Sequence, residues 1–410
     1  MTDDLRCDFC IVGGGPAGLT LALLLLRSGA RVTVVEKSTS LDREYRGEIL
    51  QPGGMALLAG LGVLDEARER GSFEHPRFQL VERDRAVLDI DYRRLPAPYN
   101  CLLSVPQRHV LEVLLDRCRR HAGFDYLAGH KVTDLVRDDR VRGVVADGNV
   151  VLAHCVVAAD GRYSKTRRLA GIDTRRLEAF DHDVLWFKLP RQPDSSPNVQ
   201  VFRAAGSPVL VYRSHPDQMQ VGWTLPHKGY RAVAERGVDY VKAQIGLALP
   251  GCADLVDRTI TSLKDLSLLD VFAAAALRWA DDGLVLIGDA AHSHGPIGAQ
   301  GINLAIQDAV LLHPVLMASL KADDAGARFF TPHVAARRRE IDKVTRLQTV
   351  QGKAMLSHGR VASFVRPKAA RVLARTPVYG RVLRRLAFGG SGVQIATELF
   401  VSNESAGGVR

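Results

Sequence analysis

Cysteine is scarce: six residues in 410 give no disulfide framework and suit a reducing compartment that keeps them as thiols. Cys7 and Cys10 form a C-x-x-C, but no second cysteine pair or histidine pair follows at ligand spacing. They therefore read as small residues of a buried strand, not as a metal or redox site. Long apolar runs are missing too. The longest, around Leu19 to Leu26, is about half of the roughly 20 residues a membrane span needs, so no span is expected. The acidic start, Met-Thr-Asp-Asp-Leu-Arg, lacks the basic and then apolar pattern of a secretion signal, and the cytoplasm is the expected location. Aromatic residues make up only 6% of the chain, and no stacking pattern or base-reading motif accompanies the net charge of +10, so nucleic acid is not an expected partner. Acidic residues thin out only at the end, where the last 80 residues hold 15 Lys and Arg against four Asp and Glu. That basic segment, with arginines spaced from Arg337 to Arg385, reads as solvated helix faces, with a weak contact to an anionic membrane surface as the alternative.

What is present begins at the N-terminus. Cys7 to Val12 reads as a short buried strand running into Gly13-Gly14-Gly15-Pro16-Ala17-Gly18. Leu19 to Arg27 reads as a helix, Ser28-Gly29-Ala30 as a turn, and Arg31 to Val35 as a β-branched strand closed by Glu36. In this βαβ unit each glycine of Gly13-x-Gly15-x-x-Gly18 has a mechanical task. The first permits the tight turn, the second admits a pyrophosphate close to backbone N–H groups, and the third lets helix and strand pack closely. The helix N-terminus offers its free donors to phosphate, and Glu36 can accept hydrogen bonds from ribose hydroxyls. Dinucleotide binding follows, without a choice between FAD and NAD.

Further along, Val132 to Val157 reads as short strands with turns at Asp138-Asp139 and Asp147-Gly148-Asn149. Phe180 to Leu225 reads as an antiparallel sheet that includes a hairpin of Val209 to Tyr212 with Met219 to Trp223. Leu284 to Ile287 returns to the style of the first strand, Gly298 to Gly301 is expected to start a helix that continues through Ala305 and Ala309, and residues from Ile306 onward read as helices. The chain leaves its nucleotide domain and comes back to it.

The stretch Gly288-Asp289-Ala290-Ala291-His292 through Pro296-Ile297-Gly298-Ala299-Gln300-Gly301-Ile302-Asn303 resembles the G-D-A-A-H…P…G-x-G-x-N signature of the class A, para-hydroxybenzoate-hydroxylase-type FAD-dependent aromatic-ring monooxygenases. Ala158-Ala159-Asp160-Gly161, with Ser164 and Arg167, resembles that family's D-G fingerprint, with Ala158 in place of its usual glycine. Ala299 is a second departure, tolerable if its φ stays negative. Arg108 matches an arginine that starts a helix and pairs with FAD phosphate, and Arg46 one that lies near FAD and the nicotinamide approach.

The resemblance implies an α/β fold: a Rossmann-like FAD-binding domain (1–75, 101–175 and 276–330), an inserted antiparallel-sheet substrate domain (76–100 and 176–275), and a C-terminal helical segment (331–410). It implies non-covalent FAD held by Gly13, Gly15, Pro16, Ala17, Gly18, Glu36, Lys37, Arg46, Arg108, Val132, Asp160, Asp289, Pro296, Gly298, Ala299, Gln300 and Gly301. It implies NAD(P)H as a transient co-substrate, O2, and hydroxylation of an aromatic or polyketide-like small molecule through a C4a-hydroperoxyflavin. Candidates on the substrate side are Arg46, Tyr212, Arg213 and Trp223, with His292, His294 and Pro296 on the flavin loop. His294 is the candidate base for a phenol. A flavin-dependent halogenase shares the scaffold, but Trp186-Phe187-Lys188-Leu189-Pro190 does not match the W-x-W-x-I-P segment of that group. The intact flavin loop argues against a non-enzymatic relative. Reduction of a prenyl or other lipid double bond remains the alternative reaction.

Overall fold

The computed structural model describes residues 4–42, 47–82, 85–177, 182–203, 207–269, 272–356, 376–389 and 393–401. Leu5–Val12 pairs in parallel with Val32–Glu36 on one side and with Asn149–Ala158 on the other. Phe124–Ala128 extends the first edge and Leu284–Leu286 the second, also in parallel. Helices cover such a sheet, so its central strands are largely buried, and every residue of Val32–Glu36 is. Helix Pro16–Arg27 is buried along nearly its whole length and packs with the core helix Gly301–Ala322 in one apolar cluster. The expected hairpins, Val132–Arg137 with Val141–Ala146 and then Asn149–Ala158, run antiparallel at the side.

Register brings four strand ends to one edge. Val12 lies opposite Val35 and Ala158, and Ala158 opposite Leu286, so the loops after each of these strands converge there. In open parallel sheets this carboxyl edge is where ligands bind.

The second layer is a seven-stranded sheet in the order Ser267–Leu269, His182–Pro190, Gln218–Pro226, Val209–Ser214, Val199–Arg203, Arg77–Glu82, Arg85–Asp91. The expected hairpin forms its middle, with Val209 opposite Trp223 and Tyr212 opposite Gln220. Side chains alternate between its faces. Leu185, Phe187, Leu189, Met219, Val221, Trp223 and Leu225 pack into one cluster with Val241 and Ile245 of helix Val238–Ala248 and Val256 of helix Ala253–Thr259. Trp186, Leu210, Tyr212 and Gln220 occupy the other face, toward the nucleotide domain.

The core helix starts at Gly301, where the turn Gly298 to Gly301 is expected to open it. Residues 297–322 are long and apolar enough for a membrane span by composition. The helix instead packs inside the fold and buries Asn303, Gln307, Asp308 and His313 along its length. The basic segment divides in two. Arg337 is not on a solvated face: it is buried with its Nε 2.6 Å from Asp308. Arg338 donates to the carbonyls of Ala276 and Leu277. Helix Pro377–Phe388 behaves as the pattern suggested, with Leu383 and Ala387 packed beside Ile49, Tyr92, Trp186 and Tyr212, while Arg381, Arg384 and Arg385 stay exposed.

Candidate active site

A cavity of about 1040 Å³ runs from the glycine loop to the inner face of the second sheet. At its first end, Gly13 has φ +111°, and a Cβ there would strike the Ala159 carbonyl. A Cβ on Gly18 would overlap the carbonyl oxygen of Gly13, so the close crossing of helix and strand requires glycine. Gly15 caps the helix Pro16–Arg27 without any side-chain acceptor, and Gly15, Pro16 and Ala17 line the cavity. The first-turn donors are thus presented to whatever fills it.

Glu36 is buried at the end of its strand. Its Oε2 accepts from Gly14 N at 2.7 Å and its Oε1 from Ser38 N at 3.0 Å. The carboxylate lines the cavity, where a charged acceptor suits ribose hydroxyls. Lys37 and Val132 also line this end, together with Lys131, Lys165 and Arg168.

Asp160 lines the cavity, but its carboxylate is spent on its own loop. It accepts from Ser164 Oγ, and from both Thr166 N and Thr166 Oγ1 at 3.0 Å. Arg167 reaches across to the Ala290 carbonyl at 2.7 Å and ties this loop to the one that carries Asp289. Asp289 faces the cavity beside Arg162, whose Nε lies 3.6 Å away.

The flavin loop is braced from behind. Asp308 of the core helix accepts from Gly288 N at 2.7 Å, lies 2.8 Å from His292 Nε2, and pairs with Arg337. Those cationic and donor neighbours hold the Asp308 carboxyl far below the usual range despite its burial. Gln348 donates to the Ile297 carbonyl at 2.8 Å. The loop then turns at Gly298, φ +74°, and Ala299, φ +49°. The condition of a negative φ at Ala299 is not met: an alanine is held in the left-handed region, at a cost of roughly 1–2 kcal/mol, because the braced turn leads straight into the helix. Pro296, Ala299, Gln300 and Gly301 line the cavity, and Gln300 caps the helix with no side-chain bond, so its first backbone donors are presented there too.

Several expected residues are placed elsewhere. Arg46 lies outside the described residues. Arg108 does not reach the wall: half-exposed, it is bound by Asp42 at 2.9 Å and Glu112 at 3.4 Å, and Gln107 lines the cavity instead. Trp223 faces the far side of its sheet, and Arg213 turns away to the Ser195 carbonyl. His292 is a brace on Asp308 and not a wall residue. Gly18 and Gly298 shape the wall without being part of this cavity's lining. Tyr212 and His294 do line it. His294 is a poor base, however. Burial, then the neighbouring His292, push its pKa down to about 3, and both ring nitrogens are engaged, with His292 Nδ1 at 3.0 Å and Gln348 Oε1 at 3.3 Å.

Three wall residues at the sheet end were not singled out from the sequence as site residues: Trp186, Gln220 and Glu48. Glu48 is buried, accepts from Ser214 Oγ at 2.8 Å and lies 3.5 Å from Lys188 Nζ. Gln220 donates to the Phe187 carbonyl, while its Oε1 has no partner. Alternation along the strands carried the first two; nothing local marks Glu48.

The cavity fits FAD by its own chemistry. It offers two uncapped helix starts for a pyrophosphate and an electron-rich ring edge, a buried carboxylate for ribose, and a volume beyond the usual drug-sized pocket. A sequence profile described as FAD binding domain matches residues 6–346. The chain is 59% identical over 409 residues to the 6-methylpretetramide 4-monooxygenase of Streptomyces rimosus, covering 98% of this chain and 97% of that one. Among solved structures, p-nitrophenol 4-monooxygenase of Pseudomonas putida superposes with a TM-score of 0.78 at 20% identity, over 93% of this chain and 97% of that one. A probable FAD-dependent monooxygenase of Pseudomonas aeruginosa gives 0.74 at 23%, over 90% and 100%. At those identities the two structures speak for the fold.

Proposed function

The chain belongs to the class A flavoprotein monooxygenases and is an FAD-dependent enzyme that uses NAD(P)H and O2, and from that premise we propose that it hydroxylates a polycyclic, polyketide-derived phenol of the 6-methylpretetramide type. The observation that carries the substrate is the cavity's second end: an inner sheet face of Trp186, Leu210 and Tyr212, continuous with the FAD end and opposite Pro296. That end is lined mostly by aromatic and apolar side chains, with polar groups limited to a few positions, which suits a fused-ring phenol.

When bound, FAD supplies hydride acceptance from NAD(P)H and the activation of O2. The protein's residues do the rest. Backbone donors at Gly15 and Ala17 would hold the pyrophosphate, Glu36 the ribose and Asp289 the ribityl chain. The donors at the start of Gly301–Ala322 would meet the electron-rich end of the ring system, where the helix dipole favours negative charge. Trp186, Leu210 and the helix Pro377–Phe388 keep water from the reacting face. Glu48, fixed by Ser214 and Lys188, accepts a hydrogen bond from a substrate hydroxyl and orients the ring.

The division into a discontinuous FAD domain, an inserted substrate domain over 76–100 and 176–275, and a C-terminal segment is supported by the two sheets, since the strands Arg77–Glu82 and Arg85–Asp91 join the second sheet across the sequence gap. We also retain a cytoplasmic enzyme whose exposed Arg381, Arg384 and Arg385 make weak contact with anionic surfaces.

The test is anaerobic stopped-flow reduction of the FAD-loaded enzyme by NADPH and by NADH, with and without 6-methylpretetramide, followed by addition of O2 and mass analysis. Faster reduction with substrate and a product heavier by one oxygen atom are expected. A product that gains two hydrogens and no oxygen, or no reaction with this ring system, overturns the proposal.

A further inference from the structure

Behind Trp186 lies a second hollow of about 90 Å³. It shares Trp186, Leu210 and Pro296 with the large cavity, and Phe78, Val184 and Val201 close its far side. The one side-chain hydroxyl on its wall, Thr224, is already committed to the Pro208 carbonyl at 2.8 Å. Water therefore finds few partners in it. Size narrows the occupant further: 90 Å³ far exceeds the roughly 10–15 Å³ a single water needs and falls short of the about 150 Å³ of an apolar cavity that takes benzene. An isoalloxazine or a further aromatic ring is excluded, and a small alkyl group is the right scale.

Trp186 is the partition between the two spaces. It lies across the strand pair from Gly222, and a Cβ on that glycine would come within 2.7–3.0 Å of the indole ring. The glycine is what lets the ring lie against the sheet. The indole Nε1 is buried with no hydrogen-bond partner, so packing alone sets the position of the ring.

We propose that this annex is a substrate subsite for a methyl- to isopropyl-sized apolar branch, and that Trp186 is the specificity-determining residue that sets the size of the branch. This rests on the reading that the inner sheet face holds the substrate. A branch entering from the large cavity meets the mostly apolar wall of Phe78, Val184, Val201 and Leu210, while Trp186 stops a larger group from following.

The test uses the FAD-loaded enzyme with 6-methylpretetramide, its counterpart without the methyl, and its counterpart with an ethyl group in that place. Wild type is expected to favour methyl over hydrogen in kcat/KM by about fourfold, the worth of one buried methyl group. Val201→Leu, which adds one methylene group to the annex wall, should lower that ratio toward one. Trp186→Phe, which lowers the partition, should raise ethyl relative to methyl. A folding defect cannot produce these opposite changes of preference, because it scales all three compounds together. If wild type hydroxylates all three without preference, or both variants shift them equally, the subsite is refuted while the substrate reading stands. If wild type hydroxylates none of them, the substrate reading fails and takes the subsite with it.

Discussion

Replacing Glu36 by alanine separates two roles that one carboxylate holds. In the structure it accepts from Gly14 N and Ser38 N, and it borders the cavity at the end proposed for the nucleotide ribose. Hydrogen bonds to a charged acceptor contribute about 1.5–3 kcal/mol, so losing the ribose contact should weaken FAD binding by roughly 10- to 150-fold. The same change leaves the buried Gly14 N–H without a partner. That costs the protein itself about 1–3 kcal/mol, in the form with and the form without FAD. Two measurements keep the effects apart: FAD affinity by quenching of flavin fluorescence on titrating flavin-stripped protein, and denaturant unfolding of that same stripped protein. Glu36→Gln retains one acceptor oxygen and should fall between alanine and wild type in both. An alanine variant that unfolds more easily yet binds FAD within twofold of wild type would make Glu36 a brace for the glycine loop only, and the ribose assignment would be wrong.

Arg337→Ala strips Asp308 of its cation in a fully buried setting and should destabilise the protein by about 3–5 kcal/mol in denaturant unfolding, with FAD released more readily because Gly288 and His292 lean on the same carboxylate. A loss below about 1 kcal/mol would refute that reading. Acid should act through buried histidines: burial lowers the pKa values of His294 and His75 to about 3 and about 4. Both are neutral in the folded and unfolded states above about pH 6.5. As pH falls below that, only the unfolded state takes up the protons, and stability should decline by up to about 1.4 kcal/mol per pH unit for each histidine until the folded pKa is reached. Thermal melts from pH 7 to 4.5 check this, and replacing His75 with Asn should flatten the decline; a flat wild-type profile would contradict it.

The amino-acid sequence by itself determined the nucleotide end of this protein. Gly13, Gly15, Gly18 and Glu36 are readable because a tight turn, a close backbone crossing and a strand-end acid are local constraints, each fixed by a few neighbouring residues. The same holds for Gly288-Asp289 and the turn before Gly301, and for the hairpin whose period-two pattern marks it as a half-buried strand pair. Tertiary structure decided the substrate end. Alternation says that Trp223 and Gln220 face opposite sides, but only the packing of Val238–Ala248 against one side settles that Trp223 is core and Gln220 is wall. Arg337 looks like one more surface arginine until Asp308, far away in sequence, is folded against it. Glu48 gains its place from Ser214 and Lys188, and Arg108 loses its place to Asp42 and Glu112. Ala299 sits at a positive φ because long-range bonds brace the turn it occupies. Local backbone geometry leaves a mark on sequence spacing, whereas the choice of face, partner and charge state depends on groups that meet only when the chain closes on itself.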